Sequence, residues 1–500
     1  MLNFFPSKNI LKSKIIYLFV ACICILIFDC RKKDEADSNY KGFPPEVGKI
    51  ILNKCAVPGC HTEKSKDAAN GLSLESWASL FQGSRNGNSA VIPYHPESSF
   101  LMYFINTYSD LGPKNFPTMP TNSTPLTREE VTTIRDWISS GAQARSGQIP
   151  FSPLAEHMQL FVINQGCDNV YDVDAMTGLI MRSYPIGANP TAIEQGHEVD
   201  VTHDNKYFCI CYLNGSVFQK FRTSDGSLVG SANIGSGAWS TFIITPNDSL
   251  AFIADWEANG KIAVVDMTNM TLKVMYSGSS LLQYPHGVGF RNNWLYVTAL
   301  PGNFFYKINV TDVMNPEFFQ VPLQTGEPPS TNPKYNGHAI HFSEDGSEYN
   351  ISCEYSNEVR FFRTSNDSLI ATVPVGKKPQ HPHYSANFPY AFVTCMDDDA
   401  TFPGTIGSVY VINTQSHTVV KSIFTGWQPH GIMIDDADGK VFVLNRNVTP
   451  SGPAPHHSSA CGGRNGYMTA IDMNTLKLVP YFKAEMGNDP YFMGMLGHHH

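Results

Sequence analysis

PHGIMIDDADGKVFVLN, residues 429–445, decides the fold. A short apolar run, GIMI, leads into an Asp- and Gly-rich turn and then a second apolar run, VFVLN. Two such runs around such a turn predict paired antiparallel strands. The second run recurs as LFVIN (from 160), YFCIC (207), LAFIAD (250), LYVTA (295), YNISC (349), AFVTC (391) and VFVLN (441). The spacing is roughly forty to fifty residues, a repeat period that signals stacked structural units. A third strand follows in IAVVDM, VYVINT and YMTAIDM, and an outer strand in TLKVMYS, HTVVKSIFT and TLKLVPYF. Seven units of about four strands each predict an all-β seven-bladed propeller over residues 158–495. DPYFMGM, residues 489–495, has the pattern of an innermost strand, and joined to the first unit it closes the ring.

Composition sets the class. Hydrophobic residues are 42% of the 500 and charged ones 16%, which is globular. The length exceeds one ordinary core, so more than one folded part is expected. A net charge of -9 argues against a nucleic-acid partner, because no basic surface is there to release counterions.

The first thirty residues read as an address. Lys8, Lys12 and Lys14 precede an apolar run from Ile15 to Phe28, short for a membrane span but suited to a signal-peptide core. The run ends at Asp29-Cys30, followed by RKKDEADS. This resembles a bacterial lipoprotein signal of the Bacteroidetes surface-export kind, with Cys30 as the lipidated residue, although Asp29 stands where such signals carry a small side chain. An uncleaved anchor is the alternative. The resemblance implies an outer-membrane lipoprotein facing the periplasm or the cell surface, held to the membrane through its lipid. His498, His499 and His500 have the look of a tag remnant and are set aside. Of the eleven cysteines, Cys209, Cys211, Cys353 and Cys395 lie in apolar strand-like runs, where a thiol is more often a small buried hydrophobe than a ligand.

Residues 55–61, CAVPGCH, open the chemistry. A zinc site needs about four N or S ligands, and three are here. A redox pair of the C-x-x-C kind has two residues between its cysteines and a β-α-β setting, neither of which is present. Haem attachment needs two thiols and an adjacent imidazole, usually as C-x-x-C-H; here the spacer is four residues. By itself the motif leaves haem attachment and coincidence open. Its context, KCAVPGCHT…GLSLESWASLF…VIPYHPESSFLMYFI…FPTMP…PLTREEVTTIRDWISSGA, resembles the small planctomycete-type bacterial c-type cytochrome domain. The resemblance implies a small all-α cytochrome c domain over 43–145, between linkers 31–42 and 146–157. It implies one covalent haem c, with thioether bonds from Cys55 and Cys60, His61 as proximal iron ligand and Met119 as distal ligand. Met102 reads as helix core, and Trp137 as either helix core or haem neighbour. Thr127 and Glu130 form a T-x-x-E capping box ahead of Val131, Ile134, Trp137 and Ile138, and Gly141 stops that helix.

The propeller pattern resembles the YVTN-repeat family, related in fold to the propeller of nitrous-oxide reductase. The innermost strands begin GHEVDV, AWSTFI, PHGVGF, GHAIHF, HPHYSA and PHGIMI. This aligns His197, His286, His338, His381 and His430, with Trp239 or Thr241 in one remaining blade and Pro490 or Tyr491 in the other. Equivalent positions at the starts of inner strands surround the axis, and a ring of imidazoles there can take copper or zinc. In nitrous-oxide reductase such a ring holds a copper–sulfur cluster; no counterpart of that family's separate copper electron-entry domain is visible here. The competing reading makes these rings struts that hydrogen-bond carbonyls of the next blade. His203, His341 and His383 read as packing or surface. His456 and His457 lie with Cys461 in a long insert, GPAPHHSSACGGRNG, and CMDDDAT is either a calcium loop or a solvated turn.

Three functions follow. One is electron transfer by the haem, with the propeller binding a redox protein partner or small-molecule substrate. The second is a redox enzyme with a histidine-ligated metal or substrate site on the axis and the haem as electron port. The third is a surface binding lipoprotein with a structural haem.

Overall fold

Among the described residues, β-branched and aromatic runs separated by Gly, Asn and Asp turns fold as twenty-eight strands in seven four-stranded antiparallel sheets. The computed structural model describes residues 39–278, 281–448, 461 and 463–497. The innermost strands are β4 (Gly196–Val201), β8 (Trp239–Ile244), β12 (Pro285–Arg291), β16 (Gly337–Phe342), β20 (Pro379–Tyr384), β24 (Pro429–Asp435) and β28 (Pro490–Met495). Each adjoins the innermost strand of the next blade, and β28 adjoins β4, so the ring is closed. Closure is made by the C-terminal strand: β28 pairs with β1 (Gln159–Asn164), Leu160 opposite Met495 and Val162 opposite Met493. The chain's last strand is therefore the inner strand of the blade its first strand begins.

The core lies between blades. Phe161 stacks on Phe208 at 4.5 Å, and Phe208 on Phe221 at 5.1 Å. These rings pack with Ile163, Ile210 and Phe492, all buried. Each buried aromatic of this kind contributes about 2–3 kcal/mol of transfer free energy. Cys209, Cys211, Cys353 and Cys395 are buried as expected of small hydrophobes.

The residues fall into two compact units, one of Met1–Gly83 and Phe100–Pro150, the other of Ser84–Ser99 and Phe151–His500. The expectation of a small all-α cytochrome c domain is overturned. The described chain is nearly all β, with four α-helices of 10, 4, 6 and 12 residues: α1 (Pro45–Lys54), α2 (Trp77–Leu80), α3 (Phe100–Ile105) and α4 (Arg128–Ser139). Turns and 3-10 segments join them. Ser84–Ser99, inside the expected helical region, belongs with the propeller. There Ile92 is buried with Leu160 and Met433, and Lys483 donates its backbone N–H to the Asn86 carbonyl at 3.2 Å. The local helix signals do hold: Val47, Ile50 and Ile51 are the buried face of α1, and Thr127 and Glu130 cap α4 reciprocally. The signal segment with Cys30, and His456 and His457, lie outside the described residues. No helix among the described residues is long and apolar enough to cross a membrane.

Candidate metal centre

The histidine-bearing strands share one local geometry. The residue two before each ring position has a left-handed backbone: Gln195, Tyr284, Asn336, Lys378, Gln428 and Asp489, with φ between 46° and 57°. Pro or Gly comes next, and then the strand bulges. Pro285 faces Ala299 and Val288 faces Val297, so His286 and Gly287 share the space of Thr298 alone. β16, β20 and β24 repeat this pattern. A bulge re-aims side chains, and here it turns the strand's second residue toward the axis.

P-H-G is a single device. A Cβ on Gly287 would lie 2.3 Å from the His338 carbonyl oxygen, and one on Gly431 2.7 Å from that of Tyr491. The same oxygens accept hydrogen bonds from the rings: His286 Nδ1 lies 3.2 Å from the His338 oxygen, and His430 Nδ1 3.1 Å from the Tyr491 oxygen. Glycine lets the next blade's carbonyl come close enough to fix the imidazole. Thr298 and Thr394 hydroxyls donate to the His338 and His430 carbonyls at 2.9 and 2.8 Å. Gly287→Ala is expected to cost roughly 2–4 kcal/mol, since backbone must move; urea unfolding measures it, and an unchanged midpoint would show that the close approach is dispensable.

The register refines the alignment. Gln380, not His381, occupies the ring position of β20, because Pro379 faces Cys395 as Pro429 faces Asn445. Ser240 takes that position in β8 and Tyr491 in β28. His381 lies one residue deeper, level with Glu198, Gly287, Ala339 and Phe492. Its ring nevertheless joins the others. Centroids are 4.8 Å apart for His381–His430, 5.2 Å for His338–His381 and 6.0 Å for His338–His430. One potential ligand atom from each of these three lies within 4.8 Å of the others. His286 stands 4.4 Å from His338 and His197 6.4 Å from His286, both outside the triad.

All five rings are buried. Burial is the main cause that holds them neutral: His286 falls to about 4, His381 to about 3, and His197, His338 and His430 well below the usual imidazole value. His338 Nδ1 and His430 Nε2 have no hydrogen-bond partner. Each orphan costs about 1–3 kcal/mol unless something fills it. The Tyr491 carbonyl takes the proton-bearing Nδ1 of His430, which leaves the Nε2 lone pair free for a ligand bond. His197 is set the other way. Gln165 Nε2 donates to its Nδ1 at 2.6 Å, placing the ring proton on Nε2 and making His197 a donor rather than a ligand. In His430 the strut and ligand roles therefore coexist: Nδ1 is anchored and Nε2 can be offered.

Tyr491 stands in the ring between His430 and His197. Its ring is 3.8 Å from that of His430 and 4.3 Å from that of His197. The Arg446 guanidinium sits 4.5 Å over it, held by two bonds of 2.7 and 2.9 Å to Asp489.

Other sequence candidates separate cleanly. His341 and His383 pack on each other, stacking at 4.3 Å, and line an axial cavity of about 50 Å³ with His381 and Glu198. His203 bonds Asp248 at 2.8 Å, a turn contact to the next blade. In CMDDDAT, Asp398 accepts from the Ala400 and Thr401 backbone and from Ser408, and Asp399 pairs with Lys377, so the carboxylates are occupied in a turn. Cys167 and Cys461 form a disulfide that sequence reasoning missed. The available signal was that these two alone among the propeller cysteines fall outside apolar strands.

Asp200 titrates in the opposite sense to the histidines. Burial raises its carboxyl to about 7, and its Oδ1 accepts the Val201 N–H at 2.8 Å. The unfolded chain ionises this group near pH 4 and the folded chain does not, so its contribution to stability is present below pH 4 and is lost as pH rises to 7. Asp200→Asn is expected to gain up to roughly 4 kcal/mol over wild type at pH 8 and almost nothing at pH 4. Unfolding curves at both pH values check it, and an equal difference at the two would contradict a buried neutral acid.

In the first unit, CAVPGCH is a closed loop. Cys55 caps α1, and Val57 to Cys60 make a β-turn with Pro58 and Gly59 (φ 87°) at its centre, the residue pattern of a type II turn. This turn absorbs the long spacer, and the His61 N–H returns to the Cys55 carbonyl at 3.2 Å. His61 Nδ1 lies 3.2 Å from the Leu72 carbonyl, the anchoring a metal-ligating imidazole needs. Burial pushes the Cys55 thiol up to about 12. Both thiols are free, so the donor set fits two thioethers and one axial imidazole. Met119 is half-buried, its N–H bonded to the Phe104 carbonyl at 2.8 Å. Met102 is buried in α3, and Trp137 packs on Phe43 at 6.0 Å as helix core.

No protein-family model matches the sequence, and no curated protein does. The chain is similar to solved structures. Hydrazine synthase of Kuenenia stuttgartiensis is 14% identical with a TM-score of 0.45, covering 58% of this chain and 81% of that one. A functionally unknown protein of Desulfotomaculum acetoxidans is 13% identical at 0.48, covering 67% and 99%. Apo AztD of Citrobacter koseri is 10% identical at 0.45, covering 68% and 98%. Likeness at this level, shared with 1755 solved chains, transfers no function.

Proposed function

We propose that this protein is a redox metalloprotein outside the cytoplasm, with a transition metal held by His338, His381 and His430 and a haem c attached at Cys55 and Cys60. One observation carries the reading: three buried neutral imidazoles from three blades bring ligand atoms within 4.8 Å, two of them with orphaned nitrogens. A single metal ion satisfies all three at once. An imidazole-only set suits copper and zinc, and Cu(II) stands highest in affinity among divalent ions. Bound there, copper supplies one-electron chemistry. The protein's own part is positional. The Tyr491 carbonyl orients the His430 ring, and the Tyr491 side chain, backed by Arg446 and Asp489, packs against it.

His61, Cys55, Cys60 and Met119 are proposed to hold the haem, with Met119 as distal ligand raising the potential. The chemistry of the donor set and the Leu72 anchor of His61 support it. A disulfide between Cys167 and Cys461 fits an oxidising compartment, and a lipid on Cys30 would tether the chain to the outer membrane. The partner is then a redox protein or a small molecule reaching the axis. Dialysis of the full chain, His498–His500 removed, against Cu(II) tests the axial site. About one copper per chain is expected, and none would overturn the reading.

A further inference from the structure

Strand β12 begins at the histidine ring and ends at Arg291, on the opposite face of the propeller. There a groove of about 420 Å³ lies between the blades of β12 and β16, in the size range of small-molecule sites. Such sites are mostly apolar, but this lining has no apolar side chain, so its guest must be hydrophilic. Two guanidiniums meet it. Arg291 is fixed by its surroundings. Left-handed Asn292 and Asn293 (φ 52° and 63°) form a two-residue turn that ends β12 at Arg291. The guanidinium crosses Gly346 so closely that a Cβ there would lie 1.6 Å from its Cζ. One Nη donates to the Asp345 carbonyl at 3.2 Å, and the Phe342 ring lies 5.9 Å away. The Asp345 carboxylate itself accepts from the Ser343 and Ser347 hydroxyls, both at 2.8 Å. Arg363 is exposed at the end of a neighbouring strand, Glu358–Arg363. Glu348 faces it across the ladder and would be its natural ion-pair partner. Glu348 turns instead to His417, whose Nε2 lies 3.1 Å from its Oε2. Arg128, Arg360 and Arg446 each have a carboxylate, but among the described residues Arg291 and Arg363 have none, in a chain of net charge -9. Beside Arg363, the Thr364 hydroxyl is buried without a hydrogen-bond partner.

We propose that this groove binds an anionic sugar, a hydroxyl-rich small molecule that carries a carboxylate or a phosphate. The guanidiniums of Arg291 and Arg363 take the anion through charge-assisted hydrogen bonds. Thr364, Ser365 and Asn292, all in the lining, meet the hydroxyls. Glu348 is the one carboxylate in the lining, and His417 keeps it occupied. The site stands apart from the metal and haem readings and does not depend on either.

The test titrates the full chain, His498–His500 removed, with glucuronate, glucose 6-phosphate, inorganic phosphate and glucose in low-salt buffer. At least one of the two acidic sugars is expected to bind saturably, about 10-fold or more tighter than glucose, and the tighter one names the anion. Added salt should weaken it, because the attraction is between exposed charges. Arg363→Ala changes an exposed side chain and should fold as wild type while binding about 10-fold more weakly. Arg363→Lys should restore part of the affinity, since the charge returns without the planar fork. Gly346→Ala should push the Arg291 guanidinium aside and weaken binding as well; if it does not fold, the two Arg363 variants decide. Acidic sugars that bind no better than glucose, or binding that Arg363→Ala leaves unchanged, would overturn the site. Inorganic phosphate bound as tightly as the acidic sugars would overturn the assignment to a sugar.

Discussion

Copper uptake by the axial site is expected to weaken at least 100-fold in His338→Ala/His430→Ala. The change removes two of three imidazoles, and a single remaining ring cannot chelate. His338 and His430 carry the two orphaned nitrogens, so no competing bond must be broken when the ion enters. The variant also separates the two roles of the rings. Losing the bond from His430 Nδ1 to the Tyr491 carbonyl should lower apo-protein stability by about 1–2 kcal/mol whether or not metal binds there. A lowered melting point with copper binding intact would make the rings struts only. Isothermal titration with Cu(II), paired with thermal unfolding of apo-protein, reads both quantities from one pair of samples.

The haem is the second large effect. Protein matured with a haem-attachment system should keep its haem through acid–acetone extraction, and Cys55→Ala/Cys60→Ala should keep none. The geometry adds a condition. Cys55 is buried at the end of α1 once the loop has closed, and burial leaves it a poorly reactive thiol. Attachment must therefore precede closure, and free haem added to folded apo-protein should stay extractable. Met119→Ala should leave the covalent link intact and lower the midpoint potential, because the thioether that favours ferrous iron is gone. Haem lost from wild type on extraction would end the attachment proposal.

Much of the propeller could be read directly. The period of apolar runs and their turns is a local signal repeated seven times, and DPYFMGM matched an inner strand closely enough to predict its pairing with the first unit. The histidines could be read as a group because five inner strands open alike. Their exact layering could not. One extra residue, Gln380, pushes His381 a level deeper, and only strand register reveals that. Ser240 escaped because a serine in AWSTFI carries no signal of its own. His341 and His383 do pack, as expected, but alternation says which face a side chain takes, not that this face lines the axis. The first unit misled for a different reason. Its capping box and the apolar face of α1 are local and correct, but a helix at each end of the region does not make an all-α body. The stretch between them folds mostly as turns around the short α2 and α3, and Ser84–Ser99 belongs with the propeller, where Ile92 is buried.

The anomalous difference map of a copper-loaded crystal, collected at the copper edge on protein lacking His498–His500, tests the central claim most directly. One strong peak is expected on the axis, about 2.0–2.1 Å from a ring nitrogen of each of His338, His381 and His430. A peak elsewhere, or an ordered water bridging the three rings while copper is absent from the axis, would contradict it.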